Sequence, residues 1–379
     1  MTDHDEQTYR ESYLQPNTLP LKLKRTGSFI RLSTFVVFAL ALFLTVFYTL
    51  FMMPLPYYIF RPGTAEEIRP MVQVKQGGYP EKGTFMLTTV RVSDASVVGY
   101  LLAINGLRGD LYKKDSIMLD GETEEQYNER QDYIMQTSQS SALQVAYLKA
   151  NIPYRIQNDG VIVIRTFPGL PAAEVLQAGD HLLKVDEIPI HVSKDLQDYI
   201  ITKKQGDTVK LTIKRGKASP IVESITLANM PPGSPAPIVY EPPKPGLGIR
   251  HLGDLQSIRS VQEKQQVTIK AGDIGGPSAG LMFSLEIYNQ LVQGDITRGY
   301  RIAGTGTIND KGMIGPIGGI QYKIVAAERE GADIFFAPIE NIIVAENQAK
   351  KIKSKMKIIA VETFDDALNY LANYPIKSS

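Results

Sequence analysis

Between Leu32 and Phe60 the chain carries no charged residue, and from Phe35 to Met53 it is almost continuously apolar. A bilayer-spanning helix needs about 20 apolar residues, whereas the apolar part of a signal peptide has about 7–15. No small-x-small cleavage pattern follows; the chain leaves the run as Met52-Met53-Pro54-Leu55-Pro56-Tyr57-Tyr58. Residues 32–60 therefore read as an uncleaved transmembrane anchor with Tyr57 and Tyr58 at its far interface. A cleaved signal or a buried core helix are the alternatives. Lys22, Lys24, Arg25 and Arg31 precede the run, while Arg61 and Arg69 follow it together with Glu66 and Glu67. That bias places residues 1–31 in the cytoplasm and everything from residue 61 on the other side of the membrane.

The 379 residues leave room for about two domains beyond such an anchor. A formal net charge of +1 argues against an electrostatic nucleic-acid surface. The chain has no cysteine, which removes disulfides, thiol nucleophiles and thiolate metal sites. Its four histidines, His4, His181, His191 and His251, form no H-E-x-x-H pattern, so no metal site and no cofactor is expected.

Beyond the anchor, Gly83–Val92 alternates like a strand, and an acidic stretch leads into a helix over Ile134–Ala150. Residues 151–228 have a different texture. An apolar strand (Val161–Thr166) is followed by Pro171-Ala172-Ala173, the turn Ala178-Gly179-Asp180, the strand Leu182–Asp186, a helix and an alternating strand, Thr208–Lys214. This order resembles a PDZ domain of the bacterial protease type. The resemblance implies that an extended peptide adds to a sheet edge. That edge is expected at Asn151–Ile156, with Ile152, Tyr154 and Ile156 facing Leu196 and Ile200 of the helix. A small insertion without peptide function is the plainer alternative. Residues 229–246 are crowded with proline and read as a semi-rigid connector. From 247 to 379 strands and helices alternate, forming a second αβ block.

In that block Gly276-Pro277-Ser278-Ala279-Gly280 fits G-x-S-x-G ahead of an amphipathic helix that carries Leu281, Leu285, Tyr288 and Val292 on one side. Ser278 at a helix start is either a nucleophile beside unpaired backbone N–H groups or an ordinary N-cap. An α/β-hydrolase needs its histidine downstream, and every histidine precedes Ser278. A chymotrypsin-like order would use His181, His191 or His251, none of which sits in a supporting motif, so lysine is the remaining base, provided it is desolvated. Bringing one from about 10.4 to near neutrality costs roughly 4 kcal/mol and needs an enclosed apolar site. Lys323 fits best, behind the turn Gly315-Pro316-Ile317-Gly318-Gly319-Ile320 and ahead of Ile324-Val325-Ala326-Ala327. Lys350 to Lys357 read as a solvated basic face. An exposed helix lysine is the plainer reading of Lys323.

The serine motif, Thr305-Gly306, and Pro316-Ile317-Gly318-Gly319 with Lys323 together resemble the proteolytic domain of Lon peptidases, with serine and lysine 45 positions apart. The resemblance implies a Ser-Lys dyad of Ser278 and Lys323, with Thr305 orienting the lysine and Gly276 and Ala279 supporting the serine. It also makes residues 61–150 and 247–379 one protease domain with the PDZ inserted. The expected architecture is thus an α/β (α+β) Lon-type proteolytic domain with an inserted PDZ domain, preceded by one transmembrane helix. The whole resembles the membrane-anchored PDZ peptidases of Gram-positive bacteria (SepM/YlbL type). Lon proteins usually have an acid three residues before the serine; here Gly275 stands there, and Asp273 cannot be assumed to inherit that role. No G-x-x-x-x-G-K-[ST] occurs, so no ATP is expected. The implied activity is ATP-independent serine endopeptidase action on secreted peptides or extracytoplasmic segments of membrane proteins. The resemblance also implies a homo-hexamer. The competing reading is a non-catalytic, membrane-tethered PDZ scaffold.

Overall fold

The computed structural model describes residues 26–76, 78–230, 245–272 and 274–377. The expected cytoplasmic segment up to residue 25, connector residues 231–244 and Asp273 lie outside the described residues.

Helix α1 (Thr26–Phe47) runs into a π-helical turn, Tyr48–Met52. The apolar window Thr34–Met52 is 19 residues long and none of it is buried against the rest of the protein. At about 1.5 Å per residue it measures about 28 Å, close to the hydrocarbon thickness of a bilayer. The apolar helix ends before the expected limit at residue 60. Tyr57–Phe60 already belong to strand β1 (Tyr57–Glu67), where β-pairing satisfies their backbone polar groups.

Strands β2 (Val72–Val74) and β3 (Thr84–Asp94), helix α2 (Val97–Ile104), strand β4 (Asp110–Lys113) and the long helix α3 (Glu124–Lys149) follow. Thr123 caps α3 by accepting from the Gln126 amide. The central segment holds β5 (Tyr154–Thr166), α4 (Ala172–Val175), β6 (His181–Val185) and β7 (Ile188–Pro189). It continues with α5 (Ser193–Ile200), β8 (Thr208–Lys214), β9 (Ile221–Thr226) and β10 (Ala228–Asn229). Next come β11 (Pro245–Gly246), β12 (Ile249–Ser260), β13 (Val267–Ile269), α6 (Gly280–Leu291), β14 (Arg301–Gly304), β15 (Thr307–Ile308) and β16 (Ile314–Gly315). The chain closes with α7 (Ile320–Arg329), β17 (Ile334–Pro338), α8 (Ile342–Lys351), β18 (Lys357–Val361) and α9 (Phe364–Asn373).

One six-stranded sheet, ordered β18-β17-β14-β3-β1-β4, is parallel from β18 to β3 and antiparallel beyond. Its central strands β17, β14 and the first half of β3 are buried on both faces, as the middle of a sheet covered on both sides must be. Phe85, Leu87 and Phe336 point into a core with α3, α6 and α9, while Met86, Ala303 and Phe335 point into a second core with α7 and α8. Residues from both sides of the central segment thus build one body.

The central segment forms a second sheet, ordered β12-β5-β6-β8-β9, over its own core of Val161, Val163, Leu182, Leu211 and Ile213 with Leu196 and Ile200 of α5. The Gly179-Asp180 turn is fixed by Arg215, whose Nε donates to Asp180 Oδ1 at 2.7 Å. This sheet takes in β12, a strand that the sequence reading assigns to the catalytic part beyond residue 247. Its pattern alone does not reveal which sheet it joins.

Candidate active site

Ser278 sits in a single 3₁₀ turn, Pro277–Ala279, directly ahead of α6. Gly276 enters that turn at φ 85° and ψ 157°, a conformation open essentially to glycine. The turn is then pinned from three sides. Ser138 Oγ of α3 donates to the Pro277 carbonyl at 2.9 Å. Thr305 Oγ1 and the Gly306 amide both donate to the Ser278 carbonyl, at 2.9 and 2.8 Å. Gly280 lets α3 and β15 approach; a Cβ there would stand 2.6 Å from Ser138 Oγ and 2.8 Å from Ile308 Cγ2. Ala279 is buried beside them.

Lys323 lies in the first half of α7, which starts after Gly319 in a left-handed conformation (φ 72°). Its side chain passes inward and is 3% exposed. Nζ stands 3.1 Å from Ser278 Oγ and donates to the carbonyl of Thr88 in β3 at 2.5 Å. Burial strips the ammonium of water and brings its pKa from the ordinary 10.5 down to about 7. The pair opens into a cleft of about 960 Å³ whose walls include Phe60, Met71, Leu87, Ile117, Ile274 and Ile317. Gly275 and Gly276 line it as well.

Thr305 does not approach Lys323 in the way expected from sequence. Its hydroxyl is spent on the Ser278 carbonyl, so it positions the serine turn and not the lysine. The residue that holds the lysine is Thr88, through a backbone oxygen that no motif could reveal. The expected peptide edge is also displaced. Tyr154 and Ile156 pair with Ser260 and Ile258 of β12, and Ile152 is buried in the protease core. Leu196 and Ile200 are buried in the core of the second sheet. The strand that ends this sheet next to α5 is β12, whose Asp254 accepts from the Ser193 amide at 2.6 Å. His251 lies in β12 opposite Arg165, and His181 in β6. Neither they nor His191 line the cleft.

Comparison with known proteins divides the chain in a matching way. Residues 152–223 match the PDZ domain family, and residues 256–373 match the Lon protease (S16) C-terminal proteolytic domain. Among curated proteins, Lon protease of Aster yellows witches'-broom phytoplasma is 34% identical over 94 residues, 25% of this chain and 12% of the relative. Lon protease of Haemophilus influenzae is 33% identical over 100 residues, 26% of this chain and 12% of the relative. The chain thus spans a small fraction of the length of these relatives. Among solved structures, the PDZ domain of an SdrC-like protein from Listeria monocytogenes is 34% identical, covering 25% of this chain and 90% of that one, with a TM-score of 0.21. Its counterpart from Listeria innocua is 33% identical, covering 26% and 93%, with a TM-score of 0.20. The chain thus carries, in order, a segment similar to PDZ domains and a segment similar to the C-terminal proteolytic domain of Lon (S16) proteases.

Proposed function

We propose that the chain is an ATP-independent serine endopeptidase in which Ser278 is the nucleophile and Lys323 its general base and acid. The observation that carries this reading is the placement of a buried lysine amine 3.1 Å from the serine oxygen, with a pKa of about 7. A neutral amine keeps one N–H on the Thr88 carbonyl and offers its lone pair to the serine hydroxyl. As Ser278 Oγ attacks the substrate carbonyl, its proton passes to Nζ. The resulting ammonium then protonates the leaving amine as the peptide C–N bond breaks. Water, deprotonated by the same amine, hydrolyses the acyl-enzyme and returns the serine. Unpaired backbone N–H groups at the start of the helix that follows Ser278 would stabilise the developing oxyanion.

The apolar helix anchors this domain in a bilayer, with the short N-terminus in the cytoplasm and the PDZ and protease domains outside. Substrates are secreted peptides or extracytoplasmic segments of membrane proteins, presented by the PDZ domain through strand addition beside β12 and α5. No ATP-binding loop is present in the sequence, so substrates must already be unfolded at the cut.

The test is cleavage of unstructured peptides by the full chain in detergent, beside Ser278→Ala and Lys323→Ala. Loss of cleavage in both variants, with circular dichroism unchanged, is the expected outcome. Equal cleavage by all three would refute the dyad, and binding without cleavage by the wild type would favour the scaffold reading.

A further inference from the structure

Helix α2 is built inside out for a helix of a water-soluble body. Its small residues, Gly99 and Ala103, are the buried ones, and a Cβ on Gly99 would meet Ile59 Cδ1 at 3.1 Å. Two of its large apolar residues face outward, Leu101 at 51% exposed and Ile104 at 56%, and Leu107 in the following turn is 75% exposed, while Val97, Val98 and Leu102 are half-buried. Leu101 and Ile104 are three positions apart and so share one face of the helix. Scattered exposed leucines need no explanation, whereas a contiguous outward stripe with glycine and alanine turned inward does.

The position of α2 identifies what covers that stripe. The helix packs against the π-helical end of the apolar span, Tyr48–Met52. The Leu55 amide donates to the Ala95 carbonyl at 2.7 Å, and the rings of Tyr57 and Tyr100 lie 5.2 Å apart. The helix that carries the stripe therefore lies beside the end of the span, at the level where the chain leaves it. Tyrosines at that level and Arg108 next to Leu107 are residue types that favour the headgroup boundary, the arginine by reaching phosphate.

We infer that α2 and Leu107 lie in the lipid interface, so that the protease body rests on the bilayer through a second contact beside its anchor. The occupant is the headgroup and acyl boundary of the leaflet into which α1 emerges, entered to a depth of about 5–10 Å. This rests on the membrane reading of α1, and the experiment separates the two.

The cysteine-free chain allows single cysteines to be placed at Leu42, Leu101, Ile104, Leu107 and Ile343 without background labelling. Each carries an environment-sensitive fluorophore, and the full chain is reconstituted into phosphatidylcholine–phosphatidylglycerol vesicles with or without brominated acyl chains. Position 42 reports the span, and Ile343 on α8, 71% exposed, reports an apolar residue on the protease surface away from the span. The expected result is blue-shifted emission and quenching by bromolipid at 42, 101, 104 and 107, with neither at 343. Quenching at 42 with water-like, unquenched emission at 101, 104 and 107 would overturn the inference and leave the anchor standing. Absence of quenching at 42 would overturn both. Leu101→Asp combined with Ile104→Asp should abolish the shift at 107 and spare that at 42; an unchanged signal at 107 would also count against the inference.

Discussion

The strongest test of the Ser278–Lys323 pair is the pH dependence of cleavage. Holding the amine at about 7 in place of 10.5 corresponds to roughly 5 kcal/mol in favour of the neutral form. Only the neutral amine accepts the serine proton, so kcat/KM should rise with pH along a limb of unit slope and level off above about pH 7. One pH unit below that midpoint the rate should be about a tenth of the plateau, and two units below about a hundredth. The same burial has a stability consequence. The folded-state pKa is depressed, so between about 7 and 10.5 the unfolded chain binds more protons, and stability rises with pH across that window. Lys323→Met should remove this rise and stabilise the fold at neutral pH by at most about 5 kcal/mol, with the advantage vanishing near pH 10.5. The assay is initial-rate cleavage of a fluorogenic unstructured peptide from pH 5 to pH 11, with urea unfolding of both proteins at pH 7 and pH 10. A rate that is flat from pH 5 to 8, or one that climbs only above pH 9, would show that the lysine titrates as an ordinary exposed amine and would refute the argument.

Thr305→Val should lower kcat about five-fold by losing one hydrogen bond to the Ser278 carbonyl, worth about 1 kcal/mol, while leaving the acidic midpoint in place; a pH–rate profile distinguishes this from an effect on the lysine. Gly276→Ala should cost about 1–3 kcal/mol because its backbone occupies a region closed to side chains, and cleavage should fall with stability. Glu286 in α6 is fully buried, and desolvation, aided by the nearby Glu81, raises its carboxyl pKa to about 8. A raised pKa means that stability is lost as pH climbs from about 4.5 through 8, so Glu286→Gln should be nearly neutral at pH 5 and stabilising at pH 9 in urea titrations. Gly275→Asp places a carboxylate on the wall of the cleft that holds the dyad, where it favours the ammonium; the acidic limb of the cleavage profile should move to higher pH.

Local pattern made the apolar span, the serine turn and the lysine helix legible, because each depends on residues close in sequence. The periodicity of 280–291 marks α6, and the glycines before Lys323 mark the start of α7. What sequence could not reveal is set by distant backbone. The Thr88 carbonyl that receives Lys323 lies 235 positions upstream, and a carbonyl has no residue signature. The hydroxyl of Thr305 could serve either dyad partner until the fold brought the Ser278 carbonyl to it. Strand β12 alternates like any edge strand, and its pairing with β5 fills the edge at Tyr154 and Ile156 that local reading left open for a peptide. The apolar run to Met53 is legible, whereas the anchor limit at residue 60 overruns the helix, because Tyr57–Phe60 suit both a headgroup boundary and a β-strand and they pair with β3 and β4.

The join between the span and the protease body is only Met53-Pro54-Leu55-Pro56, two of its four residues being proline. It is fastened on both sides, by the Met53 amide to the Tyr48 carbonyl of the span and by the Leu55 amide to the Ala95 carbonyl of the body. Such a join acts as a strut and not as a tether. Phe60 on the cleft wall follows Met52 by so few residues that, at about 3.3 Å each, the cleft that holds Ser278 and Lys323 begins within roughly 26 Å of the span's end. If the span sits in a bilayer and the dyad cuts peptides, as proposed, the height of the site would be fixed and the protein would act as a gauge. It would meet chain segments at one narrow range of distances from the bilayer, and a scissile bond set nearer or farther along the same substrate would escape it.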